Sequence, residues 1–371
     1  MIASGGGARG AWGVGLVQAL IKRNKHGYDA AFGTSTGSLM APYVLLGSID
    51  STYLNALENI YTHVTQDSIF NVNPFKLVTT DSTVTSRPRG LVILARALSK
   101  KKTTFGESLN LRSLIHHNFD QPKYDLLKRH HKYLAVAVTN MATGDVEIVS
   151  ANQAGCADSM ANWIWASACE PLWMSYYPAI SLTTGKLGYY VDGGVRDVVP
   201  IQQGIKYAVD SGIPNVDVII NNGRQTLSNS WRPDSAKLRP VQGLLRLLEV
   251  YNAGTIAKDT LVGDLMTQLL ECSANCSDCK SILNSQLMRD SSEYNIKESP
   301  DETITVNLYF MDNEVASSYR DELAFAPGPM KILVDNGKNY FSAHPNNEKV
   351  ITYQISAKRF KRVFKHLYKK K

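Results

Sequence analysis

Residues 28–46 read YDAAFGTSTGSLMAPYVLL, and the fold turns on how the middle of that stretch is parsed. Tyr28 to Phe32 predicts a short strand and Thr36 to Leu46 an apolar helix, with Gly33-Thr34-Ser35-Thr36-Gly37 at the junction. The pentapeptide is G-x-S-x-G. A serine on a sharp strand-to-helix turn projects its hydroxyl above the sheet edge, where chain passes closely on either side. A Cβ at Gly33 or Gly37 would clash with that chain. The helix N-terminus below favours negative charge developing at the turn. Ser35 is therefore a candidate nucleophile. Taken alone, the pentapeptide fits a plain glycine–serine turn equally well.

Two more glycine motifs stand at predicted strand ends. Upstream, SGGGARGAWG (4–13) contains Gly5-x-Gly7-x-x-Gly10, directly after Met1-Ile2-Ala3, the end of a first strand. A glycine turn opening a helix holds either a dinucleotide pyrophosphate or the oxyanion of a reaction, and the pattern alone does not choose. Downstream, Asp192-Gly193-Gly194 follows the strand LGYYV (187–191). A carboxylate there can accept a proton from Ser35 if the two meet. By itself, Asp-Gly reads more simply as a turn.

Short apolar runs alternate with helical patterns along the chain, which favours α/β architecture. Ala11 to Arg23 predicts a helix with Val14, Val17 and Ile21 on one face. Residues 50–131 read as helical, broken by the polar VTTDSTVTSRPRG (78–90). KYLAVAVTN (132–140) and DVEIVS (145–150) predict strands around a turn at Ala142-Thr143-Gly144, and ADSMANWIWASA (157–168) a helix. VDVIINN (216–222) and TITVNLYF (303–310) predict two later strands. The expected division is a catalytic domain over 1–230 and a mainly helical C-terminal extension over 231–371.

With 44% hydrophobic residues, the 371-residue chain can bury a sizeable core. No apolar run approaches the roughly 20 residues of a membrane-spanning helix. No secretory leader pattern opens the chain. The first strand is short, however, so a longer natural chain and a secreted form stay open beside the expected cytoplasmic location with peripheral membrane contact. Cys156 and Cys169 read as buried thiols. Cys272, Cys276 and Cys279 form C-x3-C-x2-C without the fourth ligand that structural zinc requires, so loop thiols, free or paired, are expected rather than a metal. The net charge of +7 resides in KRFKRVFKHLYKKK (358–371). There Phe360, Val363, Phe364 and Leu367 form an apolar stripe among cations, fit for an anionic membrane surface or for packing as a terminal helix. No nucleic-acid-binding fold accompanies the charge, and no nucleic-acid partner is expected.

In order and context, the glycine loop, G-x-S-x-G and Asp-Gly-Gly together resemble the patatin-like phospholipases, from about Ser4 to Pro200. ASACEP (166–171) is similar to the family's A-S-x-x-x-P segment, and Arg9 takes the Lys/Arg position of its G-G-G-x-[KR]-G loop. The resemblance implies a three-layer α/β/α sandwich with a mainly parallel central sheet, followed by a helical C-terminal extension. It implies a Ser35–Asp192 dyad that cleaves fatty-acyl esters of phospholipids or lysophospholipids, without metal or cofactor. The oxyanion hole would come from the loop Gly5, Gly6, Gly7, Ala8, Arg9 and Gly10, with the N–H groups of Gly6, Gly7 and Ala8 as donors. Arg9 would brace that loop or meet a phosphoryl group. Gly33, Thr34, Thr36 and Gly37 would shape the elbow, and Gly193 and Gly194 would let Asp192 approach. An aspartate, ordinarily titrating near ~4, is a useful base only in a dry site. WIWASACEPLWMSYY (163–177) would line such a channel or belong to the core. His116, His117, His130 and His131 read as surface or structural. His344, on a late loop, is the remaining candidate for a serine–histidine pair. The rival readings are a dinucleotide oxidoreductase using Asp29, a non-catalytic lipid-binding protein on the same scaffold, and an acyltransferase.

Overall fold

The computed structural model describes residues 1–80, 83–182, 184–223, 302–319, 321–364 and Tyr368. The expected helical stretch 231–300, with Cys272, Cys276 and Cys279, lies outside the described residues. Among the described residues, no helix is long and apolar enough to cross a membrane.

The main sheet contains β1 (Ile2–Ala3), β2 (Ala30–Thr34), β5 (Tyr133–Asn140), β6 (Val146–Ser150), β7 (Tyr177–Ile180), β8 (Leu187–Asp192), β9 (Asn215–Gly223), β10 (Thr303–Met311) and β11 (Ile351–Ser356). β3 (Phe75–Thr80) and β4 (Thr83–Pro88) pair separately as an antiparallel ribbon. In the order β11-β10-β9-β1-β2-β5-β8-β7, with β6 also on β5, the centre from β10 to β5 is parallel. The antiparallel strands stand at the margins.

Strands covered on both faces must be apolar throughout, and β2, β5 and β9 are buried almost end to end. Their side chains alternate between two cores. Ala3, Ala31, Val136 and Ile219 join Trp12, Val44 and Trp163 on one face. Ile2, Phe32, Ala135 and Val218 join Ile205 and Phe360 on the other. The helices Gly10–Asn24, Thr36–Gly47, Ala157–Ser167 and Pro327–Lys338 cover the first face. Ile201–Ser211 and Ala357–Val363 cover the second, completing an α/β/α sandwich. The segment after residue 302 thus adds two strands to the same sheet and helices to both faces. Helix Pro327–Lys338 lies so close on helix Gly10–Asn24 that a Cβ on Gly15 would meet Val334 O at 2.0 Å, and one on Gly337 would meet Trp12 O at 2.1 Å.

Two expectations change, and of the two readings of the tail the described residues favour packing. The polar break at 78–90 is a ribbon and the start of helix Gly90–Ala97. Cys156 is exposed and only Cys169 is buried, because Cys156 stands before the first turn of helix Ala157–Ser167 rather than on its inner face. Of the tail's apolar stripe, Phe360 and Phe364 are turned inward. Phe360 is fully buried and Phe364 is 7% exposed, stacked on each other at 4.9 Å in the second core, so neither is free to meet a membrane.

Candidate active site

Ser35 occupies the tip of the turn between β2 and helix Thr36–Gly47, with φ 53° and ψ −124°. A β-carbon at positive φ is held there only by surrounding structure. Ser167 supplies part of that hold. Its hydroxyl accepts the Ser35 N–H at 3.1 Å and donates to Ala137 O at 2.7 Å. Ser38 N–H and Oγ–H both donate to Ser35 O, at 2.9 and 2.6 Å. The flanking glycines are forced by close approach: a Cβ on Gly33 would lie 2.3 Å from Gly37 O, and one on Gly37 2.3 Å from Ala3 O. Thr34 Oγ1 donates to Asp197 O at 3.1 Å, while Thr36 Oγ1 bonds the Tyr61 hydroxyl at 2.7 Å.

Sheet register brings Asp192 to the serine. β6 takes one edge of β5 over Ala135–Thr139. On the other edge β2 pairs as far as Thr34↔Ala137, and antiparallel β8 takes over at Asp192↔Val138. The ends of β2 and β8 therefore meet at neighbouring positions of one strand. Gly193 makes the junction possible, since a Cβ there would stand 2.4 Å from Ala137 O. Ser35 and Asp192 face one cavity, the serine hydroxyl near enough to act on the carboxyl, and Gly194 N–H donates to Asp192 Oδ1 at 2.7 Å. Asp192 is 2% exposed. Burial pushes its carboxyl up from 3.8 to about 7, against the pull of the Ser35 hydroxyl and of the Gly194 N–H, and the charge of Glu322 adds to the rise.

The glycine loop runs beside the serine, with the Cβ position of Gly5 3.3 Å from Ser35 Cβ. Four of its six amides are occupied. Gly5 N–H donates to Val198 O at 3.0 Å, Ala8 N–H to Glu322 O at 2.8 Å and Arg9 N–H to Gly6 O at 3.0 Å. Gly10 N–H points to Ala8 and Gly7 carbonyls. Among the described residues, the N–H groups of Gly6 and Gly7 have no acceptor. The expected donor set therefore loses Ala8, whose hydrogen the late segment around Glu322 takes. Arg9 braces this arrangement: Nε donates to Tyr319 O at 2.8 Å, and NH1 reaches Glu322 Oε1 at 2.6 Å and Asn222 Oδ1.

Ser35, Asp192, Gly6 and Gly7 open into a cavity of about 500 Å³ walled by Leu39, Tyr43, Leu57, Ile60, Leu111 and Ile115 among others. Of the aromatic stretch 163–177, Ile164, Trp173 and Met174 reach this wall, whereas Trp163 and Trp165 belong to the core. Glu170, Asp321 and Glu322 also face the cavity. Burial pushes the Glu170 carboxyl well up, and the charges of Asp192 and Glu322 push the same way. Glu322 and Asn222 carried no local sequence signal. Ser167 lay inside the ASACEP segment but had no assigned role.

No histidine lines the cavity among the described residues. His344 is bound instead to Asp312 Oδ2 at 2.9 Å, away from Ser35. Asp29 pairs with Lys132 at 2.8 Å. It precedes β2, whereas the glycine loop follows the C-terminal end of parallel β1, so the two stand at opposite ends of the sheet.

A family model for patatin-like phospholipases matches residues 1–205, more than half of the chain. The chain belongs to that family. As a patatin-like phospholipase it falls among lipid acyl hydrolases, and Ser35, Asp192 and the glycine loop all lie within the matched span. No curated protein matches it. Among solved structures it is similar to VipD from Legionella pneumophila, with 13% identity and a TM-score of 0.43 over 95% of this chain and 67% of that one.

Proposed function

We propose that this patatin-like phospholipase hydrolyses fatty-acyl esters of phospholipids or lysophospholipids through an acyl-Ser35 intermediate, with Asp192 as the base. The observation that carries the reading is that Ser35, at the tip of its tight turn, and the buried Asp192 carboxyl line the same largely apolar cavity, with the serine hydroxyl near enough to act on that carboxyl. Ser35 Oγ attacks the ester carbonyl carbon as its proton passes to Asp192. The carbonyl oxygen gains the negative charge, which the N–H groups of Gly6 and Gly7 and the N-terminus of helix Thr36–Gly47 stabilise. One such donor contributes on the order of 3 kcal/mol. Collapse breaks the ester C–O bond, and Asp192 returns the proton to the leaving alcohol. Asp192 then takes a proton from water, whose oxygen attacks the acyl carbon. Breaking the acyl–Oγ bond releases the fatty acid and restores Ser35.

Burial is what fits an aspartate to this task, because a base works best when its pKa lies near the working pH. With the Asp192 carboxyl at about 7, kcat/KM should rise about tenfold per pH unit below neutrality and level off above it. Hydrolysis of a p-nitrophenyl acyl ester and of a phospholipid by wild type, Ser35→Ala and Asp192→Asn tests the scheme. Both substitutions should remove turnover, by about a thousandfold or more. Substantial activity in folded Asp192→Asn protein would falsify the assignment of the base.

A further inference from the structure

β3, β4 and helix Gly90–Ala97 form an arm beside the cavity. The ribbon belongs to no larger sheet, and the helix contains no buried residue. Leu91, Leu94 and Leu98 are 85%, 56% and 77% exposed. Their spacing of three and four places them on one helical face. Leu77 on β3 is exposed as well. A contiguous apolar face turned to water marks a surface that meets something.

Charge says what. From Phe70 to Phe105 the chain has seven Lys or Arg and a single acid, Asp81. Arg96 and Lys102 are paired with Glu107. Lys76, Arg87, Arg89, Lys100 and Lys101 are exposed and have no ion-pair partner among the described residues. A symmetric contact with a second copy would set these cations against one another. Leucines ringed by cations fit instead a bilayer bearing anionic head groups.

Position supplies the third observation. Thr85 and Ser86 of β4 form part of the cavity wall, and Ser86 N–H donates to Asp321 at that wall. Phe75 roots the ribbon, fully buried 4.9 Å from the ring of Trp173, another wall residue. The arm is thus continuous with the cavity that receives Ser35.

We propose that the arm docks this protein on anionic bilayers, with Leu91, Leu94 and Leu98 entering the acyl boundary and the surrounding cations among the head groups. Docking here sets the cavity wall against the surface from which a lipid must be drawn. The inference stands on the arm's exposure and charge, not on the chemistry at Ser35.

The full chain carrying Ser35→Ala, which leaves vesicles uncut under the proposed chemistry, is sedimented with phosphatidylcholine vesicles with and without phosphatidylserine. Partition should favour the anionic vesicles and fall with added salt. Leu91→Ser with Leu98→Ser should weaken it by roughly tenfold or more. Lys100→Glu with Lys101→Glu should weaken it by roughly fivefold per lysine, on the anionic vesicles alone. Both pairs should leave Tm unchanged and, on the Ser35 background, leave hydrolysis of a soluble short-chain ester unchanged. Equal vesicle partition by the parent and the leucine variant, at unchanged Tm, overturns the proposal whatever the ester assay shows. So does vesicle binding that persists in the leucine variant and disappears when Lys369, Lys370 and Lys371 are replaced by glutamate. Self-association lost in the leucine variant, without vesicle binding, would assign the face to a second copy and overturn it too.

Discussion

Charging Asp192 inside the fold is costly, and that cost has a pH dependence. Its carboxyl holds a proton up to about 7 in the native state, against 3.8 for an ordinary aspartate. Between those values the native state binds more protons than the unfolded chain, so stability falls as pH rises through the window. The penalty at pH 8 is on the order of 4 kcal/mol. Asp192→Asn keeps an oxygen for Gly194 N–H but carries no charge. Its Tm relative to wild type should therefore climb between pH 4 and pH 8, while activity is lost. A Tm difference that stays flat across that range would show that the carboxyl is not held up by burial. Ser35 and Asp192 were legible from the residues because each lies in a local glycine motif whose geometry follows from sequence. Glu322 was not, since its contacts to Ala8 and Arg9 join residues more than 300 positions apart, and no local pattern announces them.

Among the elements, the elbow depends on backbone passing where side chains would be. A Cβ on Gly37 would face Ala3 O at 2.3 Å, and a carbonyl in the sheet cannot give way as a flexible side chain can. Gly37→Ala should cost on the order of 4 kcal/mol or leave the chain insoluble, read as a loss of Tm. Gly328→Ala is the matched control: it lies in the first turn of helix Pro327–Lys338 with nothing within 4 Å, and should be neutral or stabilising by up to ~1 kcal/mol. The parallel strands were readable as apolar runs, because strands covered on both faces must be apolar. β3 and β4 were not, since beyond buried Phe75 their threonine-rich ribbon is exposed or half-buried and offers no sustained apolar face. β7 was hidden for a related reason. It is a four-residue edge strand containing Pro178, a residue tolerated at an edge but discouraging in a sequence.

At the level of the whole molecule, the parts before and after the undescribed stretch are built into each other. β10 lies parallel on β9 from Thr305 to Met311, Arg9 grips Glu322, and Gly15 and Gly337 let two helices meet backbone to backbone. A chain ending at residue 230 would bare the edge of β9 and the face of helix Gly10–Asn24. It should aggregate or digest rapidly, with no cooperative melting transition. A soluble fragment with a sharp transition and ester hydrolysis would instead support the division expected at that point.

The carboxylates around the cavity bear on how a turnover of the proposed kind finishes. Arg9, the one cation lining the cavity among the described residues, is already committed to Glu322, while Asp192 and Asp321 stand nearby. Under the proposed chemistry a freed fatty acid ionises at neutral pH and, once off the glycine-loop amides, shares the cavity with the Asp321 carboxylate. If the proposed chemistry holds, free fatty acid should be a poor inhibitor of ester hydrolysis, and an inhibition constant below KM would show that the wall does not expel it.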